Sequence, residues 1–212
     1  IIQKKFKQHQ SFAKYTTIAT IINMASITLP SVFILMYYSS KMAGFFSLSQ
    51  NLIGLPTNML TMAISQVFLG ESAKWLKKES KDLANFMNRI LRISIIVAAI
   101  PSILAYFFAP YFFELFFGKE WIVSGKIVQI LLVLYVFRFI TTPFSHILNM
   151  FGYNWLQFLW DIARLLSVCL VFIIMGRNKY DFYNTLLLYS AVMGFYYILH
   201  YILCFYINKK RT

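Results

Sequence analysis

The chain has 212 residues, of which 59% are hydrophobic, 19% aromatic and only 13% charged, and its mean hydropathy is +0.65. This balance excludes an ordinary soluble domain and indicates a membrane protein that crosses the bilayer several times. The net charge of +13 does not indicate nucleic-acid binding, because the basic residues are concentrated in short connections between apolar segments, where they mark topology.

Apolar runs of the length that a bilayer requires, about 20 residues, recur along the whole chain. They lie at residues 15–38, 42–69, 83–108, 122–151, 153–176 and 182–207. A charged segment at 71–82 predicts an amphipathic cytoplasmic helix, and an aromatic segment at 110–121 predicts a short interfacial helix. The sequence therefore predicts an all-α fold, a bundle of six transmembrane helices that forms a single domain over residues 1–212.

The first span follows a basic N-terminal stretch. The chain opens on Ile1 without an initiator Met, and this span is too long for the core of a cleaved signal peptide. We therefore expect a fragment or a processed chain whose first span stays in the membrane. Asn23 and Pro30 give this span some polar and helix-bending character.

The second span carries polar and small residues at alternating spacings of three and four, which is one face of a helix. These residues are Gly44, Ser47, Asn51, Gly54, Asn58, Thr61 and Ser65. Gln50 widens the face, and Pro56 removes a backbone hydrogen bond and so predicts a bend. Amide groups without partners in hydrocarbon cost several kcal/mol each, so the face indicates a transport path. Close helix packing through the small residues is the alternative.

Charged residues lie deep inside the fourth and fifth spans. In the fifth span, Asp161 and Arg164 follow Gln157 on one helical face and lie about 12 to 17 Å from its start, near the midplane. A charge at that depth costs roughly 3 kcal/mol or more. Asp161 and Arg164 are also spaced for an intrahelical ion pair. Arg138 has no acidic residue in its own span, so it either contacts backbone carbonyls or Asp161, or lines a cavity for an anionic substrate.

The distribution of basic residues predicts the orientation of the chain. If the N-terminus is cytoplasmic, most Lys and Arg residues fall in inside segments, and five fall in outside segments: Lys41, Lys119, Lys126, Arg177 and Lys179. The positive-inside rule then places both termini in the cytoplasm.

Catalytic and cofactor motifs are missing from the sequence. His9, His146 and His200 are far apart, and neither a metal-ligand spacing nor a glycine-rich phosphate loop occurs. The sequence therefore predicts no enzyme, no metal and no cofactor. It leaves a carrier driven by an ion gradient or by its substrate's gradient, with a non-catalytic membrane assembly subunit as the rival.

Several segments together resemble a known family. The segments are Lys41–Pro56, Ala63–Phe68, Ala109–Trp121 and Pro143–Ser145. In order and spacing they resemble the Wzx-like polysaccharide and O-antigen flippases of the multidrug/oligosaccharidyl-lipid/polysaccharide exporter superfamily. The resemblance extends over nearly the whole chain, which looks like the C-terminal half of such a protein.

The resemblance implies a fold and a function. Two six-helix lobes would enclose a cavity, the N-terminal lobe being absent here, and by alternating access they would move an undecaprenyl-diphosphate-linked oligosaccharide across the bacterial inner membrane. Membrane lipids are the expected surroundings, and proton or sodium coupling fits the superfamily, with Asp161 as the intramembrane carboxylate. A multidrug or cation exporter is the alternative within the superfamily. The predicted pathway residues are Arg138, Arg164, Asp161, Gln50, Asn51, Asn58, Asn23 and Gln157, and the predicted bends are at Pro30 and Pro56.

Overall fold

The protein is a bundle of long helices. The computed structural model describes the backbone of residues 2–75 and 82–211, together with the side chains of residues 18, 20–72 and 83–210. Within this part of the chain, six helical segments are long and apolar enough to cross a membrane. They are Thr20–Tyr37, Ser40–Ser72, Leu83–Phe117, Lys119–Met150, Asn154–Arg177 and Phe182–Lys210. The predicted all-α bundle of six membrane-spanning helices is confirmed.

Seven α-helices make up these six spans. They are α1 (Ile2–Tyr37), α2 (Ser40–Trp75), α3 (Asp82–Phe117), α4 (Ile122–Thr141), α5 (His146–Met150), α6 (Asn154–Arg177) and α7 (Phe182–Arg211). The fourth span is composite, because a 3-10 turn at Thr142–Ser145 separates α4 from α5. Pro143 lies in this turn and cannot donate a backbone hydrogen bond, so it interrupts a span that hydropathy predicts to be continuous.

The two predicted peripheral segments have different outcomes. α2 continues without a break to Trp75, and residues 76–81 lie outside the described residues, so the surface helix over 71–82 stays a prediction. The aromatic run after Pro110 is the last part of α3 rather than a separate helix. A proline is tolerated inside a membrane helix where neighbouring helices pack against it. Gly118, with φ of +96°, follows the end of α3.

The end of α3 packs tightly on α4. Gly125 allows this contact, because a Cβ atom there would lie 2.3 Å from the Cα atom of Pro110. The fourth span is the most buried of the six and α3 is the least buried. α4 is therefore the central helix, and side chains along α4 face other helices rather than lipid.

Besides the contact between α3 and α4, which has a small apolar cluster of its own, two apolar clusters hold the described part of the bundle together. The larger cluster joins α1, α2, α4, α6 and α7 and includes Ile34, Phe46, Leu131, Phe172 and Leu186. The smaller cluster includes Phe68, Met87, Phe144, Leu148 and Cys204, near the end of the bundle where α5 meets α6. The polar faces of α4 and α6 lie next to this smaller cluster and line a cavity.

Candidate substrate cavity

A polar cavity of about 310 Å³ lies among α1, the end of the fourth span, the first half of α6, and α7. We call it the polar cavity. It is lined by Thr20, Asn23, Arg138, Thr142, Ser145, His146, Asn149, Asn154, Gln157, Trp160, Asp161, Arg164, Tyr197 and His200. The structure therefore brings together five of the predicted pathway residues: Asn23, Arg138, Gln157, Asp161 and Arg164. Their role as a substrate pathway stays a prediction.

Asp161 and Arg164 form a buried ion pair in the wall of the polar cavity. Nη2 of Arg164 lies 3.1 Å from Oδ1 of Asp161, and the two side chains are 8% and 7% exposed. The same Nη2 donates a hydrogen bond of 2.6 Å to Oδ1 of Asn23. The guanidinium also lies over the ring of Tyr197, 5.9 Å from its centroid. Arg164 therefore connects α6 to α1 and α7.

A hydrogen-bonded chain extends this pair to α7. Nε2 of Gln157 donates to Oδ2 of Asp161 at 3.1 Å, which directs the Gln157 carbonyl oxygen toward His200. That oxygen lies 2.9 Å from Nε2 of His200. An amide oxygen can only accept, so His200 donates through Nε2 in this arrangement. His200 is 5% exposed, which makes it a buried member of the network.

Arg138 differs from Arg164 in its surroundings. Its guanidinium lies over the ring of Tyr135, 5.7 Å from the ring centroid, and the side chain is half-buried. Among the residues that the structure describes, no carboxylate forms an ion pair with Arg138. Neither alternative contact considered from the sequence, a backbone carbonyl or Asp161, is made within these residues. Arg138 thus presents a cation to the cavity that no described side chain neutralises.

The charge of the polar cavity favours an anion. Its wall holds two guanidinium groups against one carboxylate, so with neutral histidines one positive charge is in excess. Arginine presents a planar set of N–H donors that matches phosphate and carboxylate oxygens. An intramembrane cation facing a polar cavity is expensive to maintain and indicates a binding role.

The remaining candidates from α2 lie away from the polar cavity. Gln50 donates through Nε2 to the backbone oxygen of Ile27 at 3.0 Å and thereby ties α2 to α1. Asn51 and Asn58 are exposed and do not line the polar cavity. The predicted polar face of α2 is therefore divided: Gly54, Thr61 and Ser65 are buried in helix contacts, whereas Gly44, Asn51 and Asn58 are exposed.

The two predicted bend residues lie inside continuous helices. Pro30 is buried within α1, and Pro56 is exposed within α2. Pro56 lines a second, apolar cavity of about 420 Å³ between α2, α3 and α4, together with Pro101 and Tyr135. Tyr135 therefore lines the apolar cavity and also contacts the guanidinium of Arg138.

Several wall residues are not among the predicted pathway residues. Trp160 and His200 pack with ring centroids 5.4 Å apart, and both line the polar cavity with Asn154. Asn154 lies on the same helical face as Gln157 and Asp161, so its spacing in the sequence indicates a position beside them. His200 lies among tyrosines on α7, where the sequence offered no comparable signal.

These features define an integral membrane protein with six spans and a buried, positively charged cavity. Residues 2–126 match the model of a family described as polysaccharide biosynthesis protein. The chain belongs to this family of polysaccharide biosynthesis proteins, which gives it a role in polysaccharide synthesis or export and confirms the resemblance at the family level. No curated protein and no solved structure matches the chain significantly. The match covers the first three spans, with Asn23, and ends inside α4 before Arg138.

Proposed function

We propose that the chain is one lobe of a carrier that moves lipid-linked oligosaccharides across the bacterial inner membrane. The observation that carries the proposal is the polar cavity, where Arg138 and Arg164 provide two cations near mid-depth. Family membership indicates a polysaccharide-related substrate. The polar cavity is a suitable binding site for the charged head group of the lipid that carries it. No chemical change of the substrate is part of this function.

The diphosphate of an undecaprenyl-linked oligosaccharide suits the two arginines. Arg138 has no carboxylate partner among the described residues, so it can bind phosphate without first breaking an ion pair. Arg164 is oriented by Asp161 and Asn23 and also lines the cavity. Charge-assisted hydrogen bonds to phosphate in a poorly solvated site are stronger than neutral ones.

Alternating access requires a second lobe, and a six-helix N-terminal lobe is the proposed partner. The polar cavity would lie between the two lobes and open to either side as they rock, with membrane lipids around them. The distribution of Lys and Arg favours cytoplasmic termini. The cavity then opens toward the cytoplasm, since it lies where the fourth span ends and α6 begins. Proton or sodium coupling belongs to the same proposal, and to take up the ion Asp161 would first have to release Arg164 or Gln157.

A cation exporter fits the cavity less well. Such a carrier needs carboxylates facing its substrate, but both oxygens of Asp161 are engaged by Arg164 and Gln157. An assembly subunit would not need an arginine inside the bundle that has no ion pair among the described residues, because replacing Arg138 by an apolar residue would avoid the cost of burying a charge.

Translocation can be measured directly with the full-length protein in lipid vesicles. The probe is an undecaprenyl-diphosphate disaccharide with a fluorescent label on its sugar, and dithionite added outside quenches only the outer leaflet. The protein should make nearly all of the label quenchable, whereas protein-free vesicles retain the inner fraction. A protected inner fraction in the presence of folded protein would overturn the proposal. Export of a lipophilic cation in its place would support the exporter instead.

A further inference from the structure

The side chains of α6 that line the polar cavity have hydrogen-bond partners in the middle of the wall, but one polar atom at each end of the wall has none in the described structure. In the middle, Gln157 uses both parts of its amide, and Asp161 uses both carboxylate oxygens. At the deep end, Nε of Arg164 is buried and has no hydrogen-bond partner in the described structure. At the end where α6 begins, the same holds for Oδ1 of Asn154.

A ligand with complementary groups would give both of these atoms a partner. Buried polar atoms without partners are uncommon in native proteins, because each costs about 1–3 kcal/mol. Nε of Arg164 can only donate a hydrogen bond, and Oδ1 of Asn154 can only accept one. Arg164 is only 7% exposed, so its unpaired donor is held inside the wall. A ligand that satisfies both therefore offers an acceptor at the deep end and a donor at the other end.

The separation of the two residues along α6 limits the size of the ligand. Asn154 and Arg164 are ten residues apart on one helix, which corresponds to roughly 15 Å along its axis. A bare diphosphate is too short to reach both ends. A diphosphate extended by sugar rings reaches both, with phosphate oxygens as acceptors and sugar hydroxyl or amide groups as donors.

We propose that the end of the polar cavity at Asn154 is a sugar subsite, separate from the phosphate site at Arg164 and Arg138. This rests on the proposed function and adds the direction of the substrate: the diphosphate lies deep and the glycan points toward the start of α6. The residues at this end, Asn149 and Ser145, are polar and uncharged. Trp160 lines the wall between the two ends and offers a ring surface to the apolar face of a sugar.

Binding measurements on the full-length protein in nanodiscs can separate the two subsites. The probes are undecaprenyl diphosphate, the same lipid carrying an N-acetylglucosamine disaccharide, and phosphatidylglycerol, whose head group also combines phosphate with a hydroxyl. The variants are Asn154→Leu, which removes the acceptor, and Asn154→Asp, which keeps an acceptor oxygen. Asn184→Leu is the matched control, because Asn184 is exposed on α7 and does not line the cavity.

The Asn154→Leu variant should bind the disaccharide lipid roughly threefold to tenfold more weakly, as expected for one lost hydrogen bond. Its affinity for undecaprenyl diphosphate should not change, and Asn154→Asp should recover most of the lost affinity. If Asn154→Leu weakened the binding of both polyprenyl lipids equally, or changed neither affinity, the sugar subsite would be overturned and the proposed function would remain intact. Phosphatidylglycerol binding that depends equally on Asn154 would overturn it too. Wild-type protein that binds neither polyprenyl lipid would refute the proposed function itself.

Discussion

Arg138 and Arg164 line the same cavity, but different contacts hold them, and this predicts different effects of removing each one. Arg164 is paired with Asp161 at 3.1 Å, and both side chains are at most 8% exposed. Arg138 contacts the ring of Tyr135 and has no ion pair among the described residues. Replacing each arginine by methionine, which fills much of the same space, tests whether charge serves stability or binding.

The expected magnitudes follow from these contacts. Arg164→Met leaves a buried carboxylate without its cation, which costs about 3–5 kcal/mol of stability. Arg138→Met removes a cation–π contact worth about 0.5–2 kcal/mol and leaves no charge unpaired. In binding, loss of a charge-assisted hydrogen bond to phosphate costs about 1.5–3 kcal/mol, or roughly tenfold to 150-fold in affinity. Arg138→Met should therefore fold almost normally and transport poorly.

Two measurements on the same variants check this prediction. Surface polysaccharide is quantified in cells that depend on the variant and normalised to protein in the membrane, and thermal unfolding is followed on purified protein. Arg164→Met should unfold at a clearly lower temperature, and adding Asp161→Asn should recover part of the loss, because no buried charge is then left alone. Normal export by Arg138→Met at matched protein levels would refute the anion-binding role. Equal unfolding temperatures of the two single variants would refute the stability reasoning.

Three further predictions concern packing, the α1–α2 contact and topology. Gly125→Ala places a methyl group against the backbone of α3 and should lower stability by about 1–3 kcal/mol, whereas Gly44→Ala, with no atom within 4 Å of the added Cβ, should not change the unfolding temperature. Gln50→Leu removes one interhelical hydrogen bond of about 0.6 kcal/mol and should leave export nearly unchanged; a large loss of export would return Gln50 to the substrate pathway. In a variant without native cysteines, an impermeant thiol reagent added outside intact cells should label Lys179→Cys and not Lys210→Cys, and the reverse pattern would contradict the proposed orientation.

The location of the spans could be predicted from hydropathy, but details of their boundaries could not. Crossing a bilayer requires about 20 apolar residues, and this requirement is visible in the sequence without knowledge of neighbours. Whether a proline ends a helix depends on packing instead. Pro110 remains inside α3, whose end packs closely on Gly125, whereas Pro143 lies in a 3-10 turn that interrupts the fourth span.

The residues of the site could be predicted only in part, because the pattern of one helix does not show which other helices pack against it. The spacing of polar residues by three and four predicted the polar face of α6, because all residues of that face lie on one helix. The polar face of α2 was equally regular, yet Asn51 and Asn58 are exposed outside the polar cavity. Regular spacing identifies a face but does not identify the neighbour that covers it, because the rotation of each helix about its axis is set by packing against the others.

The sequence by itself determined the class of the protein, its six spans and the presence of charges inside the fourth and fifth spans, because these depend on composition and on the length of each apolar run. Only the tertiary structure decided which charges meet. It brings Asn23 of α1, Arg138 of α4 and His200 of α7 to one cavity beside Asp161 and Arg164. It also decided that Arg164 is paired with Asp161, whereas Arg138 forms no ion pair among the described residues, since a side chain's partners depend on how separate helices pack together.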